Sequence, residues 1–176
     1  MIETGRLLLR VPLAQDRAPL HAMWADPLVM ADLGPVKNAA ASDAALARHD
    51  GYRGDGLGFM AVVLKDGGAT IGFCGLKPGH GETPIAGELE AGWMIGRDHW
   101  GRGYAGEAVQ AAIAWGWANT DAARVVAITA RRNAKSRRVM EKLGFAHAPH
   151  EDFVHPDFAA DDPLRDTVVY ALARPQ

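Results

Sequence analysis

The residues of this chain best placed to do chemistry are glycines. Trp93-Met94-Ile95-Gly96-Arg97-Asp98-His99-Trp100-Gly101-Arg102-Gly103-Tyr104-Ala105-Gly106-Glu107-Ala108 reads as a strand, a tight turn and the start of a helix. Gly101, Gly103 and Gly106 leave main-chain amides uncovered and permit the positive φ angles of such a turn. A helix beginning there directs its unpaired N–H groups and the positive end of its dipole at the turn. That arrangement binds a phosphate or pyrophosphate, and Arg102 adds a fixed positive charge. The spacing fits G-x-G-x-x-G, but the motif lies past the middle of the chain. The acidic residue that a dinucleotide site needs about 20 residues further on, at a strand end, is missing. The lysine-serine or lysine-threonine pair of a P-loop is missing too. Spacing alone therefore leaves two readings open, an anion cradle and a plain glycine turn.

Other polar residues carry weaker signals. Glu88 and Glu90 fall on the same face of the strand that feeds the turn; they serve either as a base acting through water or as a solvated strand face. Arg131, Arg132, Lys135, Arg137 and Arg138 form a basic run beside Asn133, a pattern usual for a solvated face. Glu107 supplies favourable charge in a helix's first turn. The seven histidines show no metal-ligand spacing, so no metal is expected.

The elements that position these residues read as one mixed α/β sheet. Arg6-Leu7-Leu8-Leu9-Arg10-Val11 is a strand ended by Pro12. Residues 14–25 form an amphipathic helix with Ala18, His21, Ala22 and Ala25 on one face and Leu20 and Trp24 beside it. A second helix over 43–50 takes Ser42 as its N-cap. Strands over 59–64, 70–76 and 88–95 follow as an antiparallel meander, the first two joined by an Asp66-Gly67 hairpin turn. After the glycine turn, Ala105, Ala108, Val109, Ala112 and Gly116 make a narrow, small-residue helix face that lies close on a sheet. Residues 124–129 form a buried strand parallel to the one before that helix. A helix over 134–143 is capped by Gly144. A strand from Phe145, a polar loop over 152–166 and a last strand over 167–172 complete the chain.

The 176 residues suffice for one domain, expected to span 1–176. A net charge of −2 gives no electrostatic reason for nucleic-acid or anionic-membrane partners. Cys74 is the single cysteine, compatible with a reducing, cytoplasmic setting. No apolar run resembles a signal peptide or approaches the roughly 20 residues of a membrane span.

Four segments give the chain a family likeness: Glu3-Thr4-Gly5-Arg6-Leu7-Leu8-Leu9-Arg10, Trp100-Gly101-Arg102-Gly103-Tyr104-Ala105-Gly106-Glu107-Ala108, Asn133-Ala134-Lys135-Ser136-Arg137-Arg138-Val139-Met140-Glu141-Lys142-Leu143-Gly144-Phe145, and Asp166-Thr167-Val168-Val169-Tyr170-Ala171-Leu172. In this order they resemble the GNAT N-acetyltransferase superfamily, and within it the ribosomal-protein (RimJ/RimL-like) branch. The resemblance implies a single-domain α/β fold with a mixed, mostly antiparallel seven-stranded sheet and about four flanking helices. Its fourth and fifth strands, here 88–95 and 124–129, would splay in a V-shaped split.

It also implies acetyl-CoA as cosubstrate and an amine as acceptor. The coenzyme's pyrophosphate would rest on the turn through Trp100, Gly101, Arg102, Gly103, Tyr104, Ala105 and Gly106. Its pantetheine arm would pair with the main chain near Trp93 and Ile95 and with Asn133. Trp100 departs from the Gln or Arg usual in the superfamily, although the branch shares the tryptophan. Met140 stands where many members carry a proton-donating tyrosine, and the branch offers Ser136 instead. Glu90 better matches the family's base position than Glu88. Two further readings are a non-catalytic acyl-CoA-binding module and a nucleotide-binding domain. The acceptor, and the choice between monomer and homodimer, stay open.

Overall fold

The computed structural model describes residues 1–175. The apolar run near the N-terminus forms β2 (Leu7–Arg10), with the two-residue β1 (Ile2–Glu3) at its outer edge. Three helices follow: α1 (Arg17–Ala25), α2 (Pro27–Met30) and α3 (Ala39–Asp50). The meander is β3 (Met60–Leu64), β4 (Thr70–Pro78) and β5 (Leu89–Ile95), antiparallel throughout. Helix α4 (Tyr104–Asn119) then crosses to β6 (Arg124–Ala130), which lies parallel to β5. Helix α5 (Ala134–Lys142) leads to β7 (Ala146–His147), β8 (Phe153–Val154) and β9 (Asp166–Ala173). The sheet order is β1-β2-β3-β4-β5-β6-β9-β7, with β8 beside β9. This is the mixed, mostly antiparallel α/β sheet expected, with nine strands rather than seven. The two additions, β1 and β8, are too short to leave an alternating pattern in the sequence.

The central feature is how little β5 and β6 pair. Their register contains only Leu89↔Val125 and Glu90↔Val126, although each strand is seven residues long. Each strand is instead paired along its outer edge, β5 to β4 and β6 to β9. Beyond Glu90 the inner edges part, which is the V-shaped split expected between these strands.

Helix α4 lays Ala108, Val109, Ala112 and Ile113 on one face of the sheet. A Cβ at Gly116 would stand 2.5 Å from Leu76 Cδ1, so the small-residue stripe sets how closely helix and sheet approach. The opposite face packs Leu20, Met23, Trp24 and Leu46 against Phe73 and Met94. Trp24 meets Phe73 edge-on at 5.4 Å between centroids.

Two local expectations are corrected here. Helix α1 turns Leu20, Met23 and Trp24 inward and leaves Ala18, Ala22 and Ala25 exposed; the larger side chains remove far more apolar area from water than alanines do. Helix α3 begins at Ala39, one turn before the expected start, because its alanines are the strongest helix formers. Its cap is Asn38, whose Oδ1 accepts the Ala41 N–H at 2.9 Å, while Ser42 is buried within the helix.

Candidate functional site

A cavity of about 580 Å³ lies where β5 and β6 part. Trp93, Met94 and Ile95 form one wall, the turn and first residues of α4 form the floor, and α5 forms the other wall through Asn133, Ser136 and Val139. Leu28, Val29 and Leu33, from α2 and the segment after it, complete the lining.

The floor is built from main chain. Gly101 and Gly103 adopt φ +74° and +80°, a region that costs other L-residues about 1–2 kcal/mol. The first main-chain bond of the helical ladder runs from the Glu107 N–H to the Gly103 carbonyl at 3.1 Å. The N–H groups of Tyr104, Ala105 and Gly106 precede it and have no main-chain acceptor among the described residues. They point outward from the positive end of a sixteen-residue helix.

The β5 wall follows from strand geometry. The Gly96 N–H donates to the Ile71 carbonyl at 2.8 Å, and Gly72 stands opposite Ile95. In an antiparallel pair, bonded and non-bonded positions alternate. Trp93 and Ile95 therefore turn their N–H and C=O groups away from β4 and into the split. The Ile95 carbonyl is already engaged, because the Trp100 indole Nε1–H donates to it at 2.7 Å. What remains for a guest strand is both groups of Trp93 and the N–H of Ile95. The same ring carries Lys135 Nζ 3.9 Å above its centroid, so Trp100 links the two arms across the cavity.

Asn133 is the N-cap of α5 and is 3% exposed. Its Oδ1 accepts the Ser136 N–H at 3.1 Å; its Nδ2 donates to Thr129 Oγ1 at 2.9 Å and to Ser136 Oγ at 3.0 Å. The Asn133 side chain thus positions Ser136. Because the Ser136 oxygen accepts from Asn133, its own O–H is free to donate into the cavity it lines. Met140, at the family's tyrosine position, is 1% exposed in the core.

The carboxylates separate. Glu90 lies at the apex of the split but not on the cavity wall; it is 7% exposed and ion-paired with Lys77, its neighbour on β4. Burial pushes its pKa up, against the lowering pull of Lys77. Glu88 precedes β5 and binds Arg124 at 2.8 Å, a guanidinium shared with Glu151. Of the basic run, Arg131 pairs with Asp152 and Asp166, Arg132 with Asp32, and Arg137 reaches the Tyr170 hydroxyl. Lys135 and Arg138 line the cavity. Arg102 is exposed and off its wall. Among the described residues, no group of His, Cys, Asp and Glu assembles for a metal ion, and no helix is long and apolar enough to cross a membrane.

One arrangement escapes a reading of the sequence. Glu107 accepts from Thr4 Oγ1 at 2.6 Å, the Arg6 N–H at 2.9 Å and Arg6 Nε at 2.7 Å. It joins the N-terminal segment to the turn a hundred residues on. The only signal for it was that Thr4-Gly5-Arg6 belongs to one of the four family-like segments.

Comparison with known proteins agrees with this fold. Residues 6–146 match the model of the acetyltransferase (GNAT) domain. An uncharacterised N-acetyltransferase of Bacillus licheniformis is 30% identical over 145 residues, covering 81% of this chain and 80% of the relative. The acetyltransferase of Agrobacterium tumefaciens superposes with a TM-score of 0.80 at 25% identity, covering 98% of this chain and 94% of that one. A ribosomal-protein alpha-N-acetyltransferase, RimL, solved with coenzyme A superposes with a TM-score of 0.77 at 15% identity, over 97% and 95% of the two chains. At that identity the last likeness concerns the fold.

Proposed function

This chain belongs to the GNAT acetyltransferase family, and from that premise we propose that it transfers acetyl from acetyl-CoA to a primary amine by direct attack in a ternary complex. The observation that carries the reading is the cavity: free main-chain donors at its floor and an unpaired strand edge along its wall, continuous with each other. The diphosphate would rest on the N–H groups of Gly103 to Gly106. Pantetheine would pair as a strand with Trp93 and Ile95. The thioester would then lie near the apex where β5 and β6 meet.

In this reaction the amine lone pair attacks the thioester carbonyl, the C–N bond forms and the C–S bond breaks. A main-chain N–H on the β5 wall would stabilise the oxyanion. The Ser136 hydroxyl would donate its proton to the departing thiolate and regain one from water. The proton lost by the amine would pass to water, with Glu90 reached through water as the proposed acceptor. An α-amine of pKa about 7.7–8.0 needs little help from a base, a lysine near 10.4 needs more. That favours a protein N-terminus or a weakly basic small amine, the RimJ/RimL-like side of the family, and the setting would be the cytoplasm.

Calorimetry with acetyl-CoA, followed by thiol release across a panel of peptide N-termini and small amines, tests the proposal. Binding and turnover are expected; no binding at millimolar ligand would overturn it. The buried Met140 favours one rival, an acyl-CoA-binding module without catalysis. Tight binding with no turnover across the panel would select that rival.

A further inference from the structure

Arg6 touches the glycine turn at three places. Its Nη1 donates to the Arg102 carbonyl at 3.0 Å, its Nε and Nη2 hold Glu107 at 2.7 and 2.6 Å, and its guanidinium lies 4.6 Å from the Tyr104 ring centroid. Glu107 in turn holds the Arg6 N–H and the Thr4 hydroxyl. The segment is anchored from behind as well, since the Lys65 N–H donates to the Arg6 carbonyl at 3.0 Å and Lys65 Nζ to the Thr4 carbonyl at 2.9 Å.

The direction of the Arg102 bond matters most. A trans peptide unit is planar, so the Arg102 carbonyl and the Gly103 N–H point in opposite directions. Fixing the carbonyl toward Arg6 aims the N–H away from Arg6. Turning this peptide over rotates ψ of Arg102 and φ of Gly103, and a glycine at 103 accepts φ of either sign. Turned over, it would present a carbonyl oxygen, and its partial negative charge, to the phosphate.

We infer that Arg6 is a positioning residue for the coenzyme's diphosphate: it locks the Arg102–Gly103 peptide so that the Gly103 N–H faces the cavity. Its charge is balanced by Glu107, so its contribution is orientation rather than attraction. The planar guanidinium engages a carbonyl and a carboxylate together, which the point charge of lysine does not reproduce. This rests on the coenzyme reading proposed above.

The test compares a ligand that has the diphosphate with one that lacks it. CoA is titrated by calorimetry, and pantetheine is followed by saturation-transfer NMR at millimolar concentration, for wild type, Arg6→Gln and Arg6→Lys. Both variants should bind CoA about tenfold more weakly, the loss expected for one well-oriented hydrogen bond to a charged group. Pantetheine binding should stay within twofold, and the rise in Tm that CoA produces should shrink in both. CoA binding at wild-type strength in Arg6→Gln, or full rescue by Arg6→Lys, would overturn the inference. Equal loss of CoA and pantetheine would also overturn it, by marking a general structural fault. Wild-type protein that binds no CoA would instead overturn the coenzyme reading itself.

Discussion

Two parts of the cavity lining are built from different materials. The part proposed to hold the coenzyme is main chain: glycines at positive φ, the open end of α4 and an unpaired strand edge. Another part of the lining is side chains, Leu28, Val29 and Leu33, delivered by a short helix and the segment after it. Main-chain recognition needs few residue identities and fixes their spacing, so one motif can specify it. Side-chain recognition admits many compositions, so its residues follow no pattern. The proposed reading, one coenzyme and an acceptor still to be identified, would be served by this division.

The largest expected effect separates chemistry from binding at the α5 wall. Ser136→Ala should lower kcat by about a hundredfold or more, the usual scale for a positioned proton donor, with CoA affinity within twofold in calorimetry. An unchanged kcat would leave Ser136 as helix-start structure and assign the proton to water.

Acid should next separate the helix layer under the sheet, where His49 lies outside the cavity lining, from the turn at the start of α4. His49, stacked on Phe59 at 4.2 Å, has its pKa lowered from 6.5 to about 3, first by burial and then by Lys77, Arg48 and Arg53. The folded protein keeps this imidazole neutral while the unfolded chain protonates it below 6.5. Stability is therefore lost as pH falls from 6.5 toward 3. At the α4 N-terminus, burial raises the pKa of Glu107 but the bonds from Thr4 and Arg6 outweigh it, so the net shift is downward from 4.5. Its contribution is complete above 4.5 and disappears only as pH falls below that. Hydrogen exchange at pH 5.5 should show α3 loosening while the α4 N-terminus keeps its protection, and His49→Gln should flatten the acid slope. Uniform loosening of both would remove this contrast.

Gly103→Ala tests the main-chain floor. Forcing a Cβ into φ +80° costs about 1–2 kcal/mol, and CoA affinity should fall by about tenfold at an unchanged kcat. Affinity as in wild type would show that the turn tolerates another conformation while holding the coenzyme.

The smallest effect belongs to the apolar side chains of the lining. Leu33 is 39% exposed, so Leu33→Ala should leave Tm within about two degrees, as surface substitutions do. The KM for the acceptor should rise by a few fold, with CoA affinity unchanged. A shift in CoA affinity instead would place the coenzyme, rather than the acceptor, against this wall.

The sequence by itself determined the sheet, the parallel crossover through α4 and the glycine turn. Apolar runs bounded by turns, small residues at helical spacing and closely spaced glycines are local signals, and local signals survive in a linear string. It also identified the strands that separate, through their resemblance to a family rather than through any pattern of their own. Only the tertiary structure decided what each polar side chain faces. It ion-paired Glu90 with Lys77, drew the Asn133 amide into capping α5 and set Trp100 on the Ile95 carbonyl. It also tied Arg6 to a turn nearly a hundred residues away. The physical reason is range: a hydrogen-bond partner is chosen within about 3 Å of space, and distance along the chain says almost nothing about which groups will meet there.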